Sequence, residues 1–278
     1  NATDWQAGGE YTYTVSLAAA KDLGYTIESN GSYTVTSADG LMNIAKLVNG
    51  GKSDINITLD TDIDLTGKDW TPIGTDYDNS YKGTFDGGGH TITGLTFTTN
   101  DECAGLFGHL NSAGTVKNVV MEGVQITNNH GSGDVGGVAG QTNADATLTA
   151  CYATGNVTIE LGHRDRVDVG GLVGWNAGSS VLACYATGNV ASTGSSTGKV
   201  YIGGFLGGNY ATVTACYWKN NHEQGIGNNK EDTHTEATKV DGSVVTWQKA
   251  VDAMNTALQN AGSKWRYELK GALPTLRK

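Results

Sequence analysis

Apolar and polar positions alternate along most of the chain in short runs that glycine or asparagine soon interrupts. "VTIEL" is representative: Val157, Ile159 and Leu161 are separated by polar neighbours, the period of two that marks a half-buried strand. A helical period occurs in two places. Over 36–51, Leu41, Ile44, Leu47 and Val48 share a face, Ser37 is the expected N-cap, and Asn49-Gly50-Gly51 stops the helix. Over 246–262, Trp247, Val251, Met254 and Leu258 fall at helical spacing, and "WRYELKGALPTL" after it predicts a terminal strand returning to the last coil.

Between the helices the apolar pattern itself repeats. A frame of positions i, i+3 and i+5 catches Ile92, Leu95, Phe97; Val116, Val119, Met121; Leu148, Cys151, Ala153; Val181, Cys184, Ala186; and Val213, Cys216, Trp218. Successive first positions lie 24, 32, 33 and 32 residues apart. So short a unit, rich in glycine, cannot bury a core alone and must stack on its neighbours. Strands stacked coil on coil, about 4.8 Å apart, make a parallel β-helix. The expected fold is therefore all-β: a β-helix solenoid with short helices as lids over the sheet edges at both ends. Residues 1–36 read as strands with no place in the coil, the tail of an upstream domain; 37–240 as cap helix and solenoid; 241–278 as C-terminal cap helix and strand.

In this frame Cys151, Cys184 and Cys216 take the position of Val119 and form an interior column, packing as small hydrophobes. Cys103 precedes "AGLFG" as Val135 precedes "GGVAG", so it too replaces an aliphatic residue. Four buried free thiols are expected, because neither C-x-x-C nor a Cys/His ligand spacing occurs. If Cys151 points inward, Tyr152 points outward, as do Tyr185 and Tyr217. That ladder is either a stack shielding backbone hydrogen bonds or a platform for sugar rings.

Composition narrows the setting. Glycine is abundant at 41 residues and proline scarce at 2, without the Gly-X-Y period of collagen. A formal charge of −10 argues against nucleic acid or an anionic membrane as partner. No apolar run approaches the roughly 20 residues of a membrane span, and the expected state is a monomer.

At "GGLVGWN", Gly170 to Asn176, and "CYATGNV", Cys184 to Val190, the chain resembles the GLUG-repeat proteins. The run from "TLDTDIDLTGKDW" to "AGLFG" resembles the segment preceding such repeats, and the likeness covers roughly residues 33–278. Residues 4–17 are weakly similar to the last strands of fimbrillin-like domains of Bacteroidetes surface proteins. The resemblance implies a right-handed β-helix on an exported surface protein, and the expected setting is a lipoprotein anchored in the outer membrane by a segment upstream of Asn1. It implies no catalytic residues, and no cofactor or resident metal is expected.

Searching for chemistry yields few candidates. "HEQGI" at 222–226 lacks the second histidine of a zinc hydrolase. Asp60, Asp62 and Asp64 share one side of a strand with Ile63 and Leu65 inward; they are a solvated face, a calcium grip, or a carboxylate pair. The loop around His163, Arg164, Asp165, Arg166 and Asp168, with 128–134 and 192–199, falls where later coils exceed the first spacing by 8 or 9 residues. Insertions on one face of a solenoid are either solvated tips or a binding face. The function expected is a non-catalytic cell-surface module, adhesin or stalk, binding glycan or host protein through Tyr152, Tyr185 and Tyr217 or through His163 to Arg166. The alternative is a carbohydrate-active β-helix enzyme using Asp60, Asp62, Asp64, Asp76 or Asp86, or an accessory domain of a larger secreted enzyme.

Overall fold

The computed structural model describes residues 22–162, 166–230 and 234–278. Along them the chain winds into a parallel β-solenoid of about 5 turns. One arm of its largest sheet stacks Thr84–Asp86, Thr115–Lys117, Thr147–Thr149, Ser180–Leu182 and Val213–Lys219. A corner later the chain re-enters that sheet through Thr91–Thr93, Val120–Gly131, Tyr152–Leu161 and Tyr185–Thr187. A four-stranded sheet follows (Cys103–Ala104, Gly133–Gly136, Arg166–Gly170, Lys199–Gly203), then a five-stranded one (Phe107–Leu110, Ala139–Thr142, Val173–Asn176, Leu206–Asn209, Ile226–Asn229).

Phe85, Val116, Leu148, Val181 and Val213 form one interior column, each paired with the next. The later spacings of the repeat therefore stand, and the first does not. Ile92 pairs with Met121 and Phe97 with Ile126, while Val116 has Phe85 as its mate, 31 residues earlier. The apolar frame misleads because it fits twice within one turn, at Val116, Val119, Met121 and again at Met121, Val124, Ile126. With that spacing corrected the supposed insertions vanish: 128–131 belongs to a strand, as do 192–194 and Lys199.

Between the two arms of the large sheet, Asn118, Ala150, Ala183 and Ala215 adopt left-handed φ of 50–55°. This corner, repeated each turn, turns the following residue inward. Cys151, Cys184 and Cys216 lie fully buried as free thiols, with the Cys184 Sγ 3.3 Å from the Cys151 amide and the Cys216 Sγ 3.5 Å from the Cys184 amide. Cys103 is also free and buried, but it departs from the expected frame: it pairs with Asp134, and Ala104 with Val135. Frame is regained by Phe107, opposite Ala139. The slip of one residue falls in the tight turn joining the two smaller sheets.

At the other end of the five-stranded sheet, where the chain returns to the large one, runs a second column, made of polar groups. Thr142 Oγ1 donates to Asn176 Oδ1 (3.0 Å), Asn176 Nδ2 to Asn209 Oδ1 (2.8 Å), and Asn209 Nδ2 to Asn229 Oδ1 (2.8 Å). Each asparagine satisfies the next, so amides enclosed in the solenoid keep their hydrogen bonds.

At the N-terminal end, helix α1 (Ala38–Asn49) begins at Ser37, whose Oγ accepts from the Gly40 amide at 3.1 Å. Leu41, Ile44 and Val48 join the core. Residues 25–35 are not an unattached tail: Tyr25–Ile27 pairs antiparallel with Tyr33–Val35, which pairs in parallel with Ile57–Leu59. The fimbrillin-like stretch lies outside the described residues.

The C-terminal unit also departs from expectation. Helix α2 (Trp247–Asn260) is followed by an antiparallel hairpin, Arg266–Glu268 with Thr275–Arg277, where a single strand was expected. Instead of serving as an end lid it runs along the solenoid's flank. Val251, Met254, Leu258, Tyr267 and Leu276 pack on Val120, Tyr152 and Tyr185 from successive turns, and the Trp265 ring occupies the space a side chain at Gly89 would need. The outward tyrosines create a flank of apolar area, and burying it against the helix face removes that area from water.

Candidate functional site

The outward direction of Tyr152 and Tyr185 is as the repeat requires, but neither is an open platform. Tyr152 stacks on Tyr185, whose hydroxyl donates to the Pro274 carbonyl at 2.6 Å. The C-terminal unit covers both rings, and burial raises both phenols. Tyr217 is half-buried beside them. Of the two meanings open to the ladder, the geometry of Tyr152 and Tyr185 is that of an internal stack. His163, Arg164 and Asp165 lie outside the described residues.

Arg166 opens a different site. It begins the strand Arg166–Gly170, in which Val167 and Val169 are committed to the core and Arg166 and Asp168 face the other way. The chain then folds back sharply. A Cβ at Gly174 would stand 2.4 Å from the Val135 amide nitrogen, so only glycine permits this approach of the two sheets. The fold places Trp175, on the returning strand, against Arg166. In the next turn the place of Trp175 is taken by Gly208, where a Cβ would lie 2.5 Å from Asp168 Oδ1. The missing side chain at Gly208 makes room for a carboxylate and guanidinium.

Arg166 binds Asp168 through one edge of its guanidinium with two hydrogen bonds, Nε to Oδ2 and Nη2 to Oδ1, the latter at 3.0 Å. The Asp168 side chain is 0% exposed, whereas Arg166 keeps 32% of its own open. Around the guanidinium carbon stand the rings of Trp175 at 4.6 Å, Tyr201 at 5.3 Å and Tyr210 at 5.6 Å, within cation–π range. Lys199 pairs with Arg166 on the adjacent turn, and Tyr201 with Asp168. A cleft of about 570 Å³ opens there, lined by Arg166, Thr197, Gly198, Lys199, Tyr201 and Tyr210.

Electrostatics follows from burial. Desolvation raises Asp168 even though Arg166 pulls it down. Asp134, directly opposite Asp168 on the preceding turn, is pushed well up, first by burial and then by the Asp168 charge. Arg166 itself is held more firmly charged by Asp168, and its contact lowers Tyr210.

The same pair of sheets carries a second cleft toward the N-terminal end, about 600 Å³, lined by Asp76, Asp78, Asp101, Glu102, His109 and Gln141 among others. Burial lowers His109. The groove is thus acidic at one end and cationic and aromatic at the other. Asp64 accepts from the Thr66 amide and Asp76 from those of Asp78 and Asn79, which organises local turns, while Asp62 accepts from the Thr91 amide on the neighbouring coil. Among the described residues no group of three or more His, Cys, Asp or Glu has the geometry of a metal site, and no helix is long and apolar enough to cross a membrane.

Of the cleft's residues, Arg166 was legible in the sequence as a candidate and Trp175, Tyr201 and Tyr210 were not. The available signal was the interrupted repeat: "VGWN" at 173–176 carries a tryptophan where "LGGN" at 206–209 carries glycine.

Comparison with known proteins agrees with this architecture. The GLUG motif family matches residues 166–191, the segment from Arg166 through Asn176 and the Cys184-Tyr185 pair. Halomucin from Haloquadratum walsbyi is 33% identical over 181 residues, 60% of this chain but 2% of that protein. The chain therefore spans a small fraction of that relative's length. A solved structure from Bacteroides ovatus, named as a candidate immunoglobulin A1 protease, superposes with a TM-score of 0.58 over 90% of this chain and 93% of the other, at 14% identity. That likeness concerns the fold alone. Motif, register and solenoid coincide: residues 166–191 carry a GLUG motif set within a parallel β-solenoid whose neighbouring turns repeat its register.

Proposed function

We propose that the chain is a non-catalytic binding module displayed at a cell surface, an adhesin or stalk segment that holds glycan through the cleft at Arg166. One observation carries this reading: Tyr201 and Tyr210 present partly open rings beside a guanidinium whose orientation Asp168 fixes. Aromatic faces and planar hydrogen-bond donors in a preformed concavity suit sugar rings, whose CH faces stack and whose hydroxyls accept. The halomucin likeness supports a surface location.

An enzyme would need carboxylates that reach a glycosidic bond. The carboxylates raised by burial, Asp134 and Asp168, are enclosed beneath the cleft, which supports binding without turnover. A glycan array and a panel of host matrix proteins test the proposal. Binding to a glycan, abolished in Tyr210→Ala with the far-ultraviolet circular dichroism unchanged, is expected. Blank arrays, or new reducing ends released from any polysaccharide, would overturn it.

A further inference from the structure

We infer that the cleft selects carboxylate-bearing sugars, with Lys199 and the outer edge of Arg166 taking the carboxylate and Tyr201 or Tyr210 stacking on the ring; this rests on the glycan-binding reading above. The argument begins with an imbalance of charge. The chain carries a formal −10, yet the described lining of this cleft contains Arg166 and Lys199 and no acid. Asp168, the acid beneath it, is buried and engaged with Nε and Nη2 of Arg166. Asp168 takes one edge of the guanidinium and the Tyr210 hydroxyl makes a further contact with it; the N–H donors that remain retain the planar geometry that matches a second carboxylate.

Lys199 supplies the other half. It stands in register with Arg166 on the neighbouring turn and lines the same cleft. Among the described residues its ammonium makes no hydrogen bond or ion pair. Adjacent rungs of a solenoid lie about 4.8 Å apart, so the two cationic side chains start close enough to converge on one carboxylate. Like charges on neighbouring rungs repel, and Asp168 compensates Arg166 only, so an anion between them relieves the remaining strain. The rings confer preference for a sugar over a simple anion, because a carboxylate on a pyranose can sit on the cations while the ring's apolar face meets Tyr201 or Tyr210.

Both uronic and sialic acids carry this chemistry, and the test separates them. Affinity is measured by isothermal titration calorimetry, at low and high salt, for an oligogalacturonate against its carboxyl-reduced counterpart, and for sialyllactose against lactose. At least one acidic probe is expected to bind about tenfold more tightly than its neutral partner, the loss expected when a charge-assisted bidentate contact is removed. Lys199→Ala should erase most of the difference between the acidic probe and its neutral partner, and raised salt should have the same effect. Tyr201→Ala and Tyr210→Ala should weaken both members of a pair. Neutral and acidic members binding equally, or Lys199→Ala leaving the ratio intact, overturns the charge selection while glycan binding stands. If no member of either pair binds, while a different glycan does on the array, the inference falls alone; if nothing binds anywhere, both fall.

Discussion

The ring of Tyr152 lies on that of Tyr185 with centroids 4.5 Å apart and planes 12° from parallel, and the C-terminal unit closes over both. Tyr185 is 0% exposed and meets Trp247 and Tyr267 edge-on at 5.1 and 5.9 Å. Tyr185→Ala should therefore cost about 3–5 kcal/mol, the usual range for deleting a buried aromatic ring. Tyr185→Phe should cost about 1–2 kcal/mol, from leaving the Pro274 carbonyl unpaired. Urea denaturation checks both values. A loss below about 1 kcal/mol for the alanine variant would mean that the flank contact does not hold the C-terminal unit in place.

The asparagine of the G-G-x-x-G-x-N element has its explanation in the interior polar column. Asn209 accepts from Asn176 and donates to Asn229 and to the Ala211 carbonyl at 2.9 Å. Asn209→Ala should destabilise by about 1–3 kcal/mol because it strands the Asn176 amide inside the solenoid. Asn209→Asp should be worse at neutral pH, since it introduces a buried charge. Equilibrium unfolding of the two variants side by side gives the ranking, and an aspartate variant more stable than the alanine one would contradict it.

What could be read in advance was whatever one turn shares with the next. Stacked turns must match, so the Val116–Leu148–Val181 column and the cysteine column followed from spacing alone. The first turn was misplaced by five residues because the apolar frame fits twice in the turn of Val116, and only hydrogen-bond pairing separates Val116 from Met121. The flank position of α2 was hidden for another reason: an amphipathic helix reveals which of its faces is apolar, not which surface that face will meet. Arg166 was legible as a charge in a loop, but its aromatic surround comes from Trp175 on its own turn and from Tyr201 and Tyr210 on the next, and no local pattern brings them together.

The interior position of the thiols makes a chemical prediction. Cys103, Cys151, Cys184 and Cys216 are free and buried, and burial raises Cys103, Cys151 and Cys184 well above the ordinary thiol range. Thiolate is the reactive form. Ellman's reagent at pH 8 should release no chromophore from the native protein over minutes, and all 4 equivalents after unfolding in guanidinium. One fast equivalent from the native chain would place a thiol at the surface and break the column.

Asp134 should make stability depend on pH in the direction opposite to a salt-bridged carboxylate. Burial raises it above its unfolded value, and Asp168 on the facing strand and Glu102 add to the rise while Arg166 opposes it. The native state therefore holds a proton that the unfolded chain releases above about pH 4. The stabilising contribution is complete below that pH and declines as pH climbs toward the native-state value. Asp168, raised in the same direction, adds to the slope. In Asp134→Asn the side chain stays neutral throughout, so the variant should match the wild type near pH 4 and exceed it increasingly toward pH 8. The limiting slope of this gap is about 1.4 kcal/mol per pH unit for one proton. Urea unfolding at several pH values between these limits measures it. A gap that stays constant, or that opens toward acid, would mean that Asp134 is ionised in the folded protein and that Arg166 satisfies both carboxylates.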